Sequence, residues 1–153
     1  MRIPVATQEP IRVRPDIPTD SYEQKRVTVP LVYNTTVWAE VPSGHYWVVD
    51  AVQINFNTDA NVGTRYVDLY TRTRDGNTLY IPAISSAASF VNKHIAKPGL
   101  VYSRVSALEA LSTGPLPVDV LSSPCRIGAR WHTFQGAGDF GYLYLFIREY
   151  KVV

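Results

Sequence analysis

From Arg26 onward, apolar and polar residues alternate with a period of two in short runs separated by turn residues, which reads as a series of β-strands. The runs are Arg26–Leu31, Thr36–Glu40, His45–Phe56, Thr64–Arg74, Thr78–Ile81, Gly99–Val105, Pro117–Leu121, Arg126–Gln135 and Phe140–Tyr150. Pro42-Ser43-Gly44 marks a turn, Arg74-Asp75-Gly76-Asn77 carries a strong hairpin signal, and Gln135-Gly136-Ala137-Gly138-Asp139 makes a looser connection before the last strand. One segment departs from this period. Val105, Leu108 and Leu111 share a helical face, so a short helix is expected over Ser103–Leu111, ended by Gly114-Pro115. No longer internal repeat is present.

Two runs can be divided into faces. In His45–Phe56, Val48, Asp50, Val52, Ile54 and Phe56 form the expected core face, on which Asp50 would need a partner. Trp47, Val49, Ala51, Gln53 and Asn55 form the other. In the last strand, Leu143, Leu145 and Ile147 lie on one face, and Tyr142, Tyr144, Phe146, Arg148 and Tyr150 on the other. A strand with one solvated face alternates cleanly, and this one has no ordinary water-facing side. Its Tyr-rich face, joined by Trp47, is the expected subunit interface, because tyrosine offers a large area and a polar tip. Cross-strand aromatic packing within one sheet is the alternative.

The first 25 residues read differently. They contain Pro4, Pro10, Pro15 and Pro18 and no glycine, which excludes a helix or a central strand. Ile3, Val5, Ile11, Val13, Ile17 and Tyr22 are nevertheless spread along the segment, while its charges cancel. An extended arm (1–25) that grips a neighbouring surface through these apolar residues is expected, followed by one domain (26–153). A frayed terminus is the rival.

Composition supports the strand pattern. The chain has 153 residues, of which 46% are hydrophobic and 18% charged, as in a globular domain with a real core. Ten Tyr, three Trp and five Phe favour strands, and a single Met argues against a helical bundle. The expected fold is an all-β antiparallel sandwich, a jelly roll of two four-stranded sheets. Apolar runs such as Leu143–Ile147 are too short for a membrane-spanning helix, and Met1-Arg2-Ile3-Pro4 does not open a secretory leader. Cys125 stands alone, which excludes an intrachain disulfide, fits a reducing cytoplasm and suits a small buried hydrophobe. The net charge of +2 is dispersed with no basic stripe, so direct nucleic-acid binding is not expected.

Chemistry-bearing motifs are sparse. His45, His94 and His132 lack partners at metal-ligand spacing and are expected as hydrogen-bonding surface residues. Asp59-Ala60-Asn61 lacks the downstream residues of a calcium loop and reads as a turn. No Gly-x-Ser-x-Gly elbow surrounds the serine pairs, and Gly136-Ala137-Gly138 lacks the Lys-Ser/Thr of a phosphate loop. Neither an enzyme nor a cofactor or metal is expected.

The segment from His45 to Tyr70 resembles a pattern of tailed-phage virion proteins, in which a Trp-bearing strand is followed by Thr-x-Ala-x-Val-Gly-x-Arg and a second strand. Thr58, Ala60, Val62, Gly63 and Arg65 match it. Gly63 is expected to relieve the backbone at the turn, Val62 to cap the core and Arg65 to start the next strand. An arm followed by a jelly roll is similar to capsid decoration, or cement, proteins. The resemblance implies a homotrimer on the outer surface of the phage head, assembled in the host cytoplasm. It would bind the major capsid protein across capsomers and reinforce the shell. Two rivals stand beside it: a neck, tail or fibre-base adaptor, and a carbohydrate-binding jelly roll with Trp38, Trp47 or Trp131 as a stacking platform.

Overall fold

Strands β1 (Glu23–Pro30), β2 (Thr36–Glu40), β3 (His45–Asn57), β4 (Arg65–Arg72), β5 (Thr78–Ser86) and β6 (Val91–Lys97) follow one another along the chain. After them come β7 (Ser103–Val105), β8 (Glu109–Pro115), β9 (Val120–Ser122), β10 (Arg126–His132) and β11 (Phe140–Lys151). The computed structural model describes residues 22–105, 109–116 and 120–152. The arm positions Ile3, Val5, Ile11, Val13 and Ile17 lie outside them.

A four-stranded sheet, ordered β2-β10-β4-β5, packs against a seven-stranded one ordered β1-β11-β3-β6-β8-β7, with β9 also paired to β3. Without β7, β8 and β9, two four-stranded rows remain. In them β1 neighbours β11, β2 neighbours β10, β3 neighbours β6 and β4 neighbours β5, every pair antiparallel. This is a long antiparallel hairpin rolled across two layers, the strand order of a jelly roll. The excess over two four-stranded sheets is the excursion between β6 and β10, where β8 runs parallel to β6.

The core lies between the layers. Leu143, Leu145 and Ile147 point inward from β11 as the alternation predicts, beside Val52, Ile54 and Phe56. Val67, Leu69, Ile127, Ala129 and Trp131 meet them from the small sheet, and Cys125 is buried with them. Such close packing of apolar side chains stabilises by about 25 cal/mol per Å² removed from water.

Four expectations change. In β3, Asp50 is an extra residue opposite the Phe146/Ile147 step of β11, a β-bulge that reverses the faces. Trp47 and Val49 therefore point into the core before it, and Val52, Ile54 and Phe56 after it. Val48 is buried but lies outside that core cluster. Asp50 faces solvent, where Arg148 grips its carboxylate through Nε and Nη2 at 2.8–3.1 Å. The helix expected over Ser103–Leu111 is replaced at both described ends by strands, because β7 and β8 satisfy their backbone groups against each other. Finally, β6 and β8 are strands that the apolar alternation does not predict.

The reason is a polar seam. The inward residues of β6 are Asn92, His94 and Ala96, and those of β8 include Ser112, so apolar alternation is absent or inverted. Asn92 Nδ2 donates to Ser86 Oγ at 2.6 Å, and His94 Nδ1 lies 2.7 Å from Ser112 Oγ. These bonds make burial of the polar groups tolerable. His94, expected at the surface, is 1% exposed, and desolvation lowers its pKa from 6.5 to about 4.

Candidate functional site

Three regions concentrate side chains of functional interest. The first is the Thr58–Arg65 segment, which forms a closed ionic lock between the β3–β4 and β10–β11 connections. Arg65 is fully buried, and each of its three nitrogens has an acceptor. Nε donates to Asp139 Oδ2 at 2.8 Å, Nη2 to Asp139 Oδ1 at 3.0 Å and to Asp59 Oδ1 at 2.9 Å, and Nη1 to the Gly63 carbonyl at 2.6 Å. The Phe134 ring lies 4.6 Å from the guanidinium carbon. The two carboxylates are fixed in turn by the backbone amides of Gly136, Gly138 and Asp59. The amide of Gly138, aided by Asn61, holds the Asp59 carboxyl below its ordinary pKa.

The lock corrects two expectations. Val62 does not cap the core; it is 89% exposed at the loop tip. Gly63 matters for space rather than backbone freedom, since a Cβ there would stand 2.5 Å from the Phe134 ring. Every partner in the cluster is already engaged, so its chemistry is structural.

The second region is the outer face of the large sheet. Phe140, Tyr142, Tyr144 and Phe146 form a row along β11, with Phe140 52%, Tyr142 37% and Phe146 38% exposed. Tyr144 is half-buried, with the Arg26 guanidinium 5.7 Å from its ring centre. Val91 on β6 and Leu111 on β8 add exposed apolar surface to the same face. Trp47 and Tyr150 do not belong to it as free surface. Trp47 is a core residue whose Nε1 donates to Glu149 Oε2 at 2.8 Å, and Tyr150 is buried beneath Tyr22, 5.3 Å between ring centres. Tyr22 thus lies on its own domain. Burial would raise the Glu149 pKa, but hydrogen bonds from Lys25 and Trp47 hold it below the ordinary value.

The third region, missed from sequence, is the outer face of the small sheet. An open groove of about 570 Å³ is lined by residues including Asn34, Asp68, Tyr70, Tyr80, Arg130 and His132. Asp68 is 5% exposed; its carboxylate contacts His132 Nε2 and accepts from Tyr80 Oη at 3.3 Å. Burial, followed by the Asp68 charge, raises the pKa of both Tyr70 and Tyr80, so both phenols stay protonated. Rings continue across the face: Trp38 is 6.3 Å from Tyr70, Tyr70 5.5 Å from Tyr80, and Tyr66 stacks on His132. Trp38 crosses Gly128, where a Cβ would come within 2.6 Å of its ring, and Arg126 covers it at 4.3 Å. Trp47 and Trp131 are each 3% exposed and cannot serve as stacking platforms. The signal available in sequence was the alternation Tyr66, Asp68, Tyr70 with Arg130 and His132, but their pairing across β4 and β10 depends on register.

No group of three or more His, Cys, Asp or Glu residues suited to a metal ion occurs among the described residues. Comparison with known protein families and with curated proteins finds no match to this chain.

Proposed function

We propose that the chain is a non-enzymatic structural protein of a tailed-phage virion, a capsid decoration protein acting as a homotrimer through the outer face of its large sheet. The observation that carries this reading is the exposed aromatic row Phe140, Tyr142 and Phe146 on β11. Aromatic side chains are enriched in protein interfaces, where they bury large areas at small entropic cost. The Arg65 lock supports the same role, since it ties two loops of the sandwich into one rigid end. The Thr58–Arg65 resemblance supplies the virion context, with the major capsid protein as partner and the outer head surface as location.

Copy number in purified particles tests the assignment. Hundreds of copies per head, measured against the major capsid protein, are expected; a dozen or so would move the chain to the neck or tail, and absence would remove it from the virion. Removal of residues 1–21 is expected to weaken head binding while leaving the domain folded. Glu23 must be kept, because β1 pairs with β11 from Glu23 onward and Lys25 bonds Glu149 at 2.6 Å. Undiminished binding by that truncation would remove the arm from the interface.

A further inference from the structure

The small-sheet groove has features that packing alone does not require. Two of its lining residues hold left-handed backbone, Asn34 at φ 58° and Thr133 at φ 87°. For a β-branched threonine this is a true outlier, and such strain costs on the order of 1–3 kcal/mol. Strain of this kind gathers where a site must be pre-shaped. Thr133 is held by its hydroxyl, 2.9 Å from His132 Nδ1. Arg130 Nη2 donates to Asn34 Oδ1 at 2.8 Å, whereas its buried Nε has no acceptor among the described residues. An unpaired buried donor costs about 1–3 kcal/mol, so Arg130 is not placed here to satisfy its own hydrogen bonds.

The groove therefore offers ring faces beside planar polar groups fixed by their neighbours. Tyr80 is 54% exposed, so its ring is open to a ligand. Hydroxyls on adjacent carbons match such carboxylate, amide and guanidinium groups, and the C–H face of a pyranose matches an aromatic ring. The volume of about 570 Å³ falls within the range of small-molecule sites, roughly 300–1,000 Å³. Arginines beside aromatic rings also suit single-stranded nucleic acid. Asp68 decides between the two, because a carboxylate charge beneath the groove disfavours phosphate and leaves a neutral saccharide unaffected.

We infer that the outer face of the small sheet is a saccharide-binding site, with Tyr80 and Tyr70 as its stacking floor and Asn34 and Arg130, backed by the Asp68–His132 pair, as its hydrogen-bonding wall. This site lies on the opposite layer from the proposed subunit interface and stands without it.

The test uses the full chain on an array of defined glucan, chitin, mannan, galactan and uronate oligosaccharides, followed by titration of the strongest binder with amide NMR and calorimetry. At least one saccharide is expected to bind, with shift changes centred on Asn34, Arg130 and Thr133. Tyr80→Ala and Arg130→Ala are expected to weaken it about tenfold or more, while Tyr142→Ala on the other sheet leaves it unchanged. Binding of no saccharide, shifts centred elsewhere, or affinities of both groove variants within about twofold of the parent would overturn the assignment. The same follows if a single-stranded oligothymidylate, and no saccharide, moves these amides.

Discussion

Arg65 and Arg130 lie at opposite extremes of how a folded protein uses a guanidinium. Arg65 is fully buried, grips Asp139 through two nitrogens, reaches Asp59 and a carbonyl, and stacks on Phe134. Arg130 is only half-buried, has Asn34 as its side-chain partner and keeps an Nε without an acceptor among the described residues. The first cluster is closed: it gains nothing from a ligand and loses much if any member is removed. The second is open: Arg130 lines a groove and bonds a single neighbouring side chain among the described residues, Asn34. The contrast separates polar clusters that build the fold from one available for recognition.

Removing a partner from the closed cluster should cost most. Asp139→Ala leaves a buried guanidinium short of its main counter-charge, and a loss of about 3–5 kcal/mol is expected in urea unfolding. A loss below about 1 kcal/mol would show that the lock is not structural.

Next comes pH. His94 is neutral in the fold, with a pKa of about 4 against 6.5 unfolded, so the unfolded chain binds the extra proton first. Stability should therefore fall as pH drops from 6.5 toward 4, by about 3 kcal/mol from this residue. His94→Gln should flatten that part of the stability curve; an unchanged slope would assign it to other groups.

Gly63→Ala forces a methyl toward the Phe134 ring and is expected to cost about 1–3 kcal/mol, read as a lowered Tm. At the far end, Arg130→Ala should change stability by about 0.5 kcal/mol or less while weakening saccharide binding about tenfold or more. A large destabilisation there would erase the distinction between the two arginines.

Much of the architecture could be read from local alternation. Thr36–Glu40 emerges as a strand with its observed limits, and Leu143, Leu145 and Ile147 face the core as their period requires. The reading fails where burial is polar or register is irregular. In β6 the inward positions are Asn92, His94 and Ala96, so the apolar pattern points the wrong way. In β3 a bulge at Asp50 reverses the faces, and the Arg148 that holds the Asp50 carboxylate on the partner strand is 98 residues away. Helical spacing of Val105, Leu108 and Leu111 was outweighed by the pairing of β7 with β8.

The candidate sites follow the same division. The aromatic face of β11 was visible because it repeats every second residue, although burial removes Trp47 and Tyr150 from it. The lock joins Asp59 and Asp139 through an arginine whose partners are dispersed along the chain, and the groove gathers residues from separate strands. Tertiary register, which local periodicity does not encode, creates both.

The functional account rests on the outer face of the large sheet joining copies of the chain. Its most direct test is the molar mass of the full-length protein in solution by light scattering, beside a Tyr142→Glu/Phe146→Glu variant. The account predicts three times the 17.1 kDa chain mass for the parent and a single chain mass for the folded variant. A parent that stays at one chain mass, or a variant that remains trimeric, would contradict it.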